Sequence, residues 1–345
     1  MTKNTLLIYF YSDYFDSFLN LYTSIKDLGM LDSQNIYSIL VYGDTNKVLD
    51  KSILDRFNKK IYLKCKSDLY GYFKGLESIN IESFDYFILM NSSCIGPILP
   101  SYFSKKNWEI VFTKELEEVG LISPIVELPP LDDKYAEKLK LRIDLNNLKD
   151  LKTIPFAHSY FLVFNKMSII NILENQALPR KDVNRKEAVG LYERFITAIL
   201  LNNDFKVKSF LYKFKEISFD KSSINNLIKE FLNNNFSENI FIDPEIPCQG
   251  NFGSDLHPYE VVFFKNIRFP HSHRGKTQSG ISESNLDFLD NIIGLKRNRF
   301  LLGIDMPKKN LNRKAKINCK INLRVVSQET IIKLKKFLKK IFKKN

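Results

Sequence analysis

No pair of cysteines in this chain is spaced C-x-x-C, and the four present, Cys65, Cys94, Cys248 and Cys319, are scattered. That pattern suggests neither a zinc ribbon nor a disulfide framework, and it fits a reducing compartment. No apolar run reaches the ~20 residues that a membrane-spanning helix needs. The amino end has only a short apolar stretch, TLLIYFY, and no small-residue cleavage pattern, so no secretory signal is expected. No internal repeat is visible. Excess positive charge is also missing from most of the chain. Residues 308–345 hold fourteen Lys or Arg against one acidic residue, Glu329, which accounts for the whole formal net charge of +13. Residues 1–307 are near neutral, so a basic nucleic-acid face is not expected on the body and is a question for the tail alone.

What is present is enough apolar matter for a large core: 345 residues, 44% of them hydrophobic. Short apolar runs alternate with helically spaced segments. Strands are expected at 5–11, 36–42, 61–65, 86–90, within 119–128, at 159–164 and at 206–214. Helices are expected at 13–28, 47–57, 166–174, 188–201, 221–240 and near 285–293, and residues 67–79 read as a loop running into a helix. Residues 131–153 read as a helix and surface loop, and 272–284 as a loop. Strands alternating with helices of ten to fifteen residues indicate βαβ units and a mostly parallel sheet.

The stretch FDYFILMNSSCIGPILP, residues 84–100, organises the rest. Its apolar run, Tyr86 to Met90, suits a strand buried on both faces. It stops at Asn91, Ser92 and Ser93 and turns through Gly96-Pro97. In open α/β sheets ligands lie beyond the carboxyl ends of such strands, which places these three polar residues at the mouth of a site.

This stretch, with Trp108 after it, resembles a group of glycosyltransferases found in polysaccharide-synthesis clusters and in large algal viruses. GLISP at 120–124, HSYFLVFNKMSIINIL at 158–173, YERFITAILLNNDFKVKSFL at 192–211 and LHPYEVVFFKNIR at 256–268 match in the same order. The resemblance covers roughly residues 5–270. It implies a GT-A-like, Rossmann-like fold, a mostly parallel central sheet flanked by helices, and transfer of a sugar from a nucleotide-sugar donor. Many such enzymes carry D-x-D after the central strand to hold Mg²⁺ or Mn²⁺. Here that position reads Asn91-Ser92-Ser93, and since hard divalent cations prefer carboxylate oxygens, the metal requirement stays open.

On the donor side the candidates are Tyr11 and Ser12, ending the first strand, Asp44 ending the second, and Asn91, Ser92 and Ser93. Asp44 can accept a ribose hydroxyl or simply close a turn. Asp68 lies where the resemblance implies an Asn-x-Gly-x-Asp-like run. Gly71 is kept, Leu69 stands where Asp is expected, and Asp68 either substitutes or caps the helix. Glu193 is the candidate catalytic base, a carboxylate within an otherwise apolar helix, where burial would raise its pKa. Its duller reading is an exposed position paired with Arg194 or Lys186. His158 and Ser159 stand on the acceptor side, though a satisfied core histidine reads equally well. His271, Ser272, His273 and Arg274 make a weak metal cluster without a carboxylate. Arg268 or Arg274 is instead a candidate diphosphate contact.

In the tail, Glu329–Asn345 places Ile331, Leu334, Leu338 and Ile341 on one helical face with lysines around the rest. This is the pattern of a helix lying on an anionic membrane surface, useful to an enzyme whose acceptor is lipid-linked. The expected layout is a glycosyltransferase domain at 1–220, a helical and loop extension at 221–307 and the basic helical tail at 308–345. The enzyme would be cytoplasmic, peripheral on the inner membrane face, and would elongate a cell-surface or capsular-type glycan without binding nucleic acid. The alternatives are a non-catalytic module of the same fold and a nucleic-acid binder acting through the tail.

Overall fold

A computed structural model describes residues 4–12, 17–45, 48–127, 138–139, 148, 153–210, 217–226 and 262–265. At their centre is an eight-stranded mixed sheet in the order β11-β10-β6-β9-β4-β1-β2-β3. Its interior strands are β1 (Thr5–Tyr11), β2 (Ile36–Tyr42), β4 (Tyr86–Asn91), β6 (Leu121–Ser123), β9 (Phe161–Asn165) and β10 (Val207–Ser209). The two rims are β3 (Lys59–Tyr62) and β11 (Ser218–Phe219), and outside this sheet β5 (Cys94–Ile95) pairs antiparallel with β12 (Phe264–Lys265) and β7 (Val126–Glu127) with β8 (Phe156–Ala157). β1 runs parallel to both β2 and β4, β2 to β3, and β10 to β6. β9 runs antiparallel between β4 and β6.

Continuous apolar runs become strands covered on both faces, because alternation would expose one side. β1 and β4 are buried along their whole length. β4 therefore lies inside the sheet, between β1 and β9, and delivers its polar end to the interior rather than to a rim.

Helix α3 (Asp68–Glu77) crosses β1 at glycine-limited range. A Cβ on Gly71 would sit 2.3 Å from Cδ2 of Phe10, and one on Gly75 would sit 2.8 Å from Ile8. These two glycines lie one turn apart on one face, so the helix backbone can press onto the strand. Ser67 caps the helix and Asp68 opens its first turn, at the level where β1 and β4 end.

Several boundaries differ from the sequence expectation. The helix expected over 47–57 is only α2 (Lys51–Leu54), because Asp50 takes the Ser52 amide and starts it late. The third strand shifts forward to Lys59–Tyr62, where it finds Ile39–Tyr42 as partner. The strand expected over 159–164 begins at Phe161, after a turn that carries His158 and Ser159. Of the strand expected over 206–214, β10 is described as Val207–Ser209, and residues 211–214 lie outside the described residues. The first helix, α1, is described as Ser17–Lys26, α4 is Ile110–Thr113, and α5 spans Lys166–Glu174 as expected. Residues 221–226 are helical, and the rest of that expected helix lies outside the described residues. So do the helix near 285–293 and the tail.

Candidate functional site

The carboxyl ends of β1 and β4 are tied together by Ser92. Its hydroxyl accepts from the Ser12 amide at 3.2 Å and donates to the Ser12 carbonyl at 3.0 Å, while its own amide donates to the Phe10 carbonyl. Ser92 is thus occupied in joining two strands. The Ser12 hydroxyl, buried beside it, has no hydrogen-bond partner among the described residues. Tyr11 is fully buried with its ring 5.3 Å from that of Tyr42. Asp44 lies just past β2, exposed, its backbone amide donating to the Cys65 carbonyl.

Asn91 works between two partners. Its Nδ2 donates to Asp68 Oδ2 at 2.7 Å, and its Oδ1 accepts from the Ser93 amide at 3.0 Å and the Ser93 hydroxyl at 2.5 Å. Asp68 Oδ2 also accepts from the Ser159 hydroxyl at 2.9 Å, and Oδ1 from the Leu69 amide. The Ser159 amide in turn donates to Glu193 Oε1 at 3.2 Å, and the Ser159 carbonyl accepts from the Tyr72 hydroxyl at 2.8 Å. One residue therefore links two buried carboxylates from different helices.

Glu193 reaches this position through an irregular helix. Asn184 caps a turn at Arg185–Glu187, a π-helical turn spans Ala188–Tyr192, and α6 (Glu193–Asn202) comes next. A π turn rotates the residues after it relative to a regular helix, and such turns recur at functional sites. Here Glu193 is buried, as are Phe195 and Ile196 on the same helix.

Burial pushes the Glu193 carboxyl up to about 7. The charge of His158 opposes this, the charge of Asp68 adds to it, and the Ser159 amide and Lys265 pull downward. Burial also raises Asp68, against the hydrogen bonds from Asn91, Ser159 and Leu69 that favour its ionised form. A carboxyl titrating near neutrality can take up and release a proton under ordinary conditions. His158 is buried between the rings of Phe156 and Tyr160, 5.0 and 5.9 Å away.

The structure therefore brings together Ser12, Asp68, Asn91, Ser92, Ser93, His158, Ser159 and Glu193, and leaves Asp44 exposed at the end of the neighbouring strand. Arg268, His271, Ser272, His273 and Arg274 lie outside the described residues. Three further residues join the site without having been singled out in the sequence. Tyr72 stands four residues after Asp68, so helical spacing alone puts both on one face. Asp182 accepts from the amides of Lys66 and Ser67 and holds the start of α3. Lys265, whose charge reaches Glu193, carries no local signal: its placement depends on a strand pairing.

Among the described residues no three His, Cys, Asp or Glu side chains form a group that could hold a metal ion. Asp68 already takes three donors, so no step is assigned to Mg²⁺ or Mn²⁺. Among the described residues no helix is long and apolar enough to cross a membrane.

No family model and no curated protein matches the chain. Solved structures similar to it include core-mannan synthase A of Aspergillus fumigatus in an Mn/GDP form, at 9% identity and a TM-score of 0.34, over 60% of this chain and 72% of that one. Another is 4-diphosphocytidyl-2C-methyl-D-erythritol synthase of Anaerococcus prevotii, at 12% identity and 0.35, over 68% of this chain and all of that one. A third is glucosyl-3-phosphoglycerate synthase of Mycobacterium tuberculosis with Mn²⁺, UDP and phosphoglyceric acid, at 12% and 0.31, over 58% of this chain and 78% of that one. Similarity at this level assigns neither substrate nor activity.

Proposed function

We propose that this chain is a glycosyltransferase that moves a sugar from a nucleotide-sugar donor to an acceptor hydroxyl, with Glu193 as the base. The observation that carries this reading is a buried carboxylate, raised to about 7 and joined through Ser159 to Asp68, which in turn binds Asn91 at the end of an interior strand. The acceptor oxygen attacks the anomeric carbon, the bond to the donor diphosphate breaks, and the hydroxyl proton passes to Glu193. Only the ionised form of Glu193 can receive it, so the rate should rise through pH ~7 and level off above. Asp68, Asn91 and Ser159 hold the base in place. Tyr11, Ser12, Asp44 and Ser93 line the donor side, His158 stands beside the acceptor, and Arg268 and Arg274 are further candidates for the diphosphate. The acceptor that best suits the basic, amphipathic Glu329–Asn345 segment is a lipid-linked glycan of cell-surface or capsular type, reached from the cytoplasmic membrane face.

The experiment is a melting series with UDP, GDP, dTDP and CDP, then donor hydrolysis. One of the four should raise Tm, Asn91→Ala with Ser93→Ala should abolish that rise, and Glu193→Gln should stop hydrolysis while keeping it. A chain that answers none of the four diphosphates is not this enzyme. A second reading, a non-catalytic module of the same fold, draws on the fact that Asn91 and Ser92 spend their side chains on protein partners. Binding without hydrolysis in the unaltered protein would favour it.

A further inference from the structure

Ser159 spends its three polar groups on three different side chains. Its hydroxyl donates to Asp68 Oδ2 at 2.9 Å, its amide donates to Glu193 Oε1 at 3.2 Å, and its carbonyl accepts from the Tyr72 hydroxyl at 2.8 Å. It lies in the turn between β8 and β9. That turn is also held through its neighbours: the Asn91 amide donates to the Tyr160 carbonyl at 3.1 Å, and the His158 amide donates to the Ile125 carbonyl at 3.4 Å. Asp68 and Tyr72 reach Ser159 from one face of α3, one turn apart. The close approaches at Gly71 and Gly75 seat α3 on β1, so Tyr72 acts from a fixed support.

A buried tyrosine hydroxyl ordinarily finds some acceptor, so the identity of the acceptor carries the argument. Tyr72 is fully buried, and the carbonyl it takes belongs to the residue that joins two carboxyls. Hydrogen bonds to Asp68 and Glu193 change strength with the ionisation of those groups. The bond from Tyr72 joins two neutral groups and holds the turn through the whole neutral pH range. Glu193 follows a π-helical turn, and its carboxyl meets the 158–160 turn through the Ser159 amide. Slackening of that turn lengthens a bond which, at 3.2 Å, already stands at the long end of the ordinary range.

We propose that Tyr72 is a positioning residue for Glu193: its hydroxyl pins the Ser159 carbonyl, and the turn so fixed presents the Ser159 amide to the carboxylate. It acts through Ser159 and needs no contact with a reactant. The role of Glu193 as base rests on the glycosyl-transfer reading, while the linkage from Tyr72 to Glu193 stands apart from it. An amide hydrogen bond favours the ionised carboxylate. Loss of the Tyr72 hydroxyl therefore leaves Glu193 protonated to higher pH and less well aimed at an acceptor proton. The charges acting on Glu193 are those of His158, Asp68 and Lys265, and Tyr72→Phe removes none of them, so a moved titration reports the amide.

The Ser159 amide resonance, followed against pH, reads the titration of Glu193 without any substrate. In the unaltered protein it should show a step at about 7, and that step should be missing in Glu193→Gln. Tyr72→Phe should move the midpoint up by about half a unit. With the nucleotide sugar of whichever diphosphate raises Tm, the same variant should lower kcat for donor hydrolysis about tenfold and leave KM within about twofold. A purely structural tyrosine would lower Tm and leave midpoint and kcat alone, and that result overturns the assignment. So does a rise in KM that accounts for the whole loss of kcat/KM, which would mean that α3 has moved and taken Asp68 with it. If none of UDP, GDP, dTDP and CDP binds, the glycosyl-transfer reading fails alone and the titration still decides the linkage. Should Tyr72→Phe not fold, isotope-labelled tyrosine decides: the Tyr72 ring resonance should move with the Glu193 midpoint in the unaltered protein and lose that step in Glu193→Gln. A Tyr72 resonance indifferent to Glu193 sinks the proposal.

Discussion

Glu193 has a measurable consequence apart from the base role proposed for it. The folded carboxyl keeps its proton up to about 7, whereas an ordinary glutamate loses it near 4.5. Between those values the folded state holds more protons than the unfolded one, so stability falls as pH rises through the window and the full penalty remains above it. A shift of that size corresponds to roughly 3 kcal/mol at 1.36 kcal/mol per pKa unit. Glu193→Gln removes the ionisation and keeps an oxygen for the Ser159 amide. Urea unfolding should find it as stable as the unaltered protein at pH 4 and more stable by roughly 2–3 kcal/mol at pH 8.5. Equal stabilities at both pH values would show that the carboxyl does not stay buried. At this scale the sequence was informative in proportion to how local each cause is. A carboxylate inside an apolar helical pattern announced a perturbed group. Its link to Asp68 through Ser159 did not show, because it spans separations of 91 and 34 residues.

Helices and strands differ in what their patterns encode. β1, β2, β4 and α5 were legible because a continuous apolar run or a 3.6-residue spacing marks them without reference to neighbours. The direction of β9 was not legible, since a strand buried on both faces reads alike parallel or antiparallel. The π turn before Glu193 was invisible for a related reason: one extra residue per turn leaves apolar spacing almost unchanged over so short a stretch. Gly71 was visible as a residue but not as a contact. Gly71→Ala forces a methyl against the Phe10 ring, which is fully buried and cannot move aside. Overpacking of this kind costs about 1–3 kcal/mol. Because α3 also carries Asp68, the variant should lose diphosphate-induced stabilisation beyond its fall in Tm. A drop in Tm with ligand binding intact would mean that α3 tilts without shifting its first turn.

For the molecule as a whole, the question is how firmly residues 262–265 are joined to the sheet, since they close the aromatic cluster. The chain contains one tryptophan, Trp108. It is fully buried, its indole donates to the Met30 carbonyl at 3.0 Å, and its ring meets Phe112 edge-on at 6.2 Å as well as Phe263. Its fluorescence therefore reports on this junction alone. Phe263→Ala empties a site walled by Trp108, Phe112 and Phe161, and a buried Phe→Ala typically costs about 3–5 kcal/mol. That is a large part of the ~5–15 kcal/mol by which a domain is stable. Two outcomes are physically distinct. If the segment is an integral part of the core, Phe263→Ala lowers Tm in one cooperative transition, and Trp108 emission stays blue until that transition. If it is a detachable strap, Trp108 emission shifts to the red under native conditions while the sheet melts near its original temperature. Four contacts, the pairing of Phe264–Lys265 with Cys94–Ile95, the Ile98 amide on the Val262 carbonyl, the stack of Phe263 on Phe161 and the close approach at Gly96, act on four consecutive residues, so the first outcome is expected. A red shift without a loss of Tm would show instead that residues 262–265 can leave the sheet.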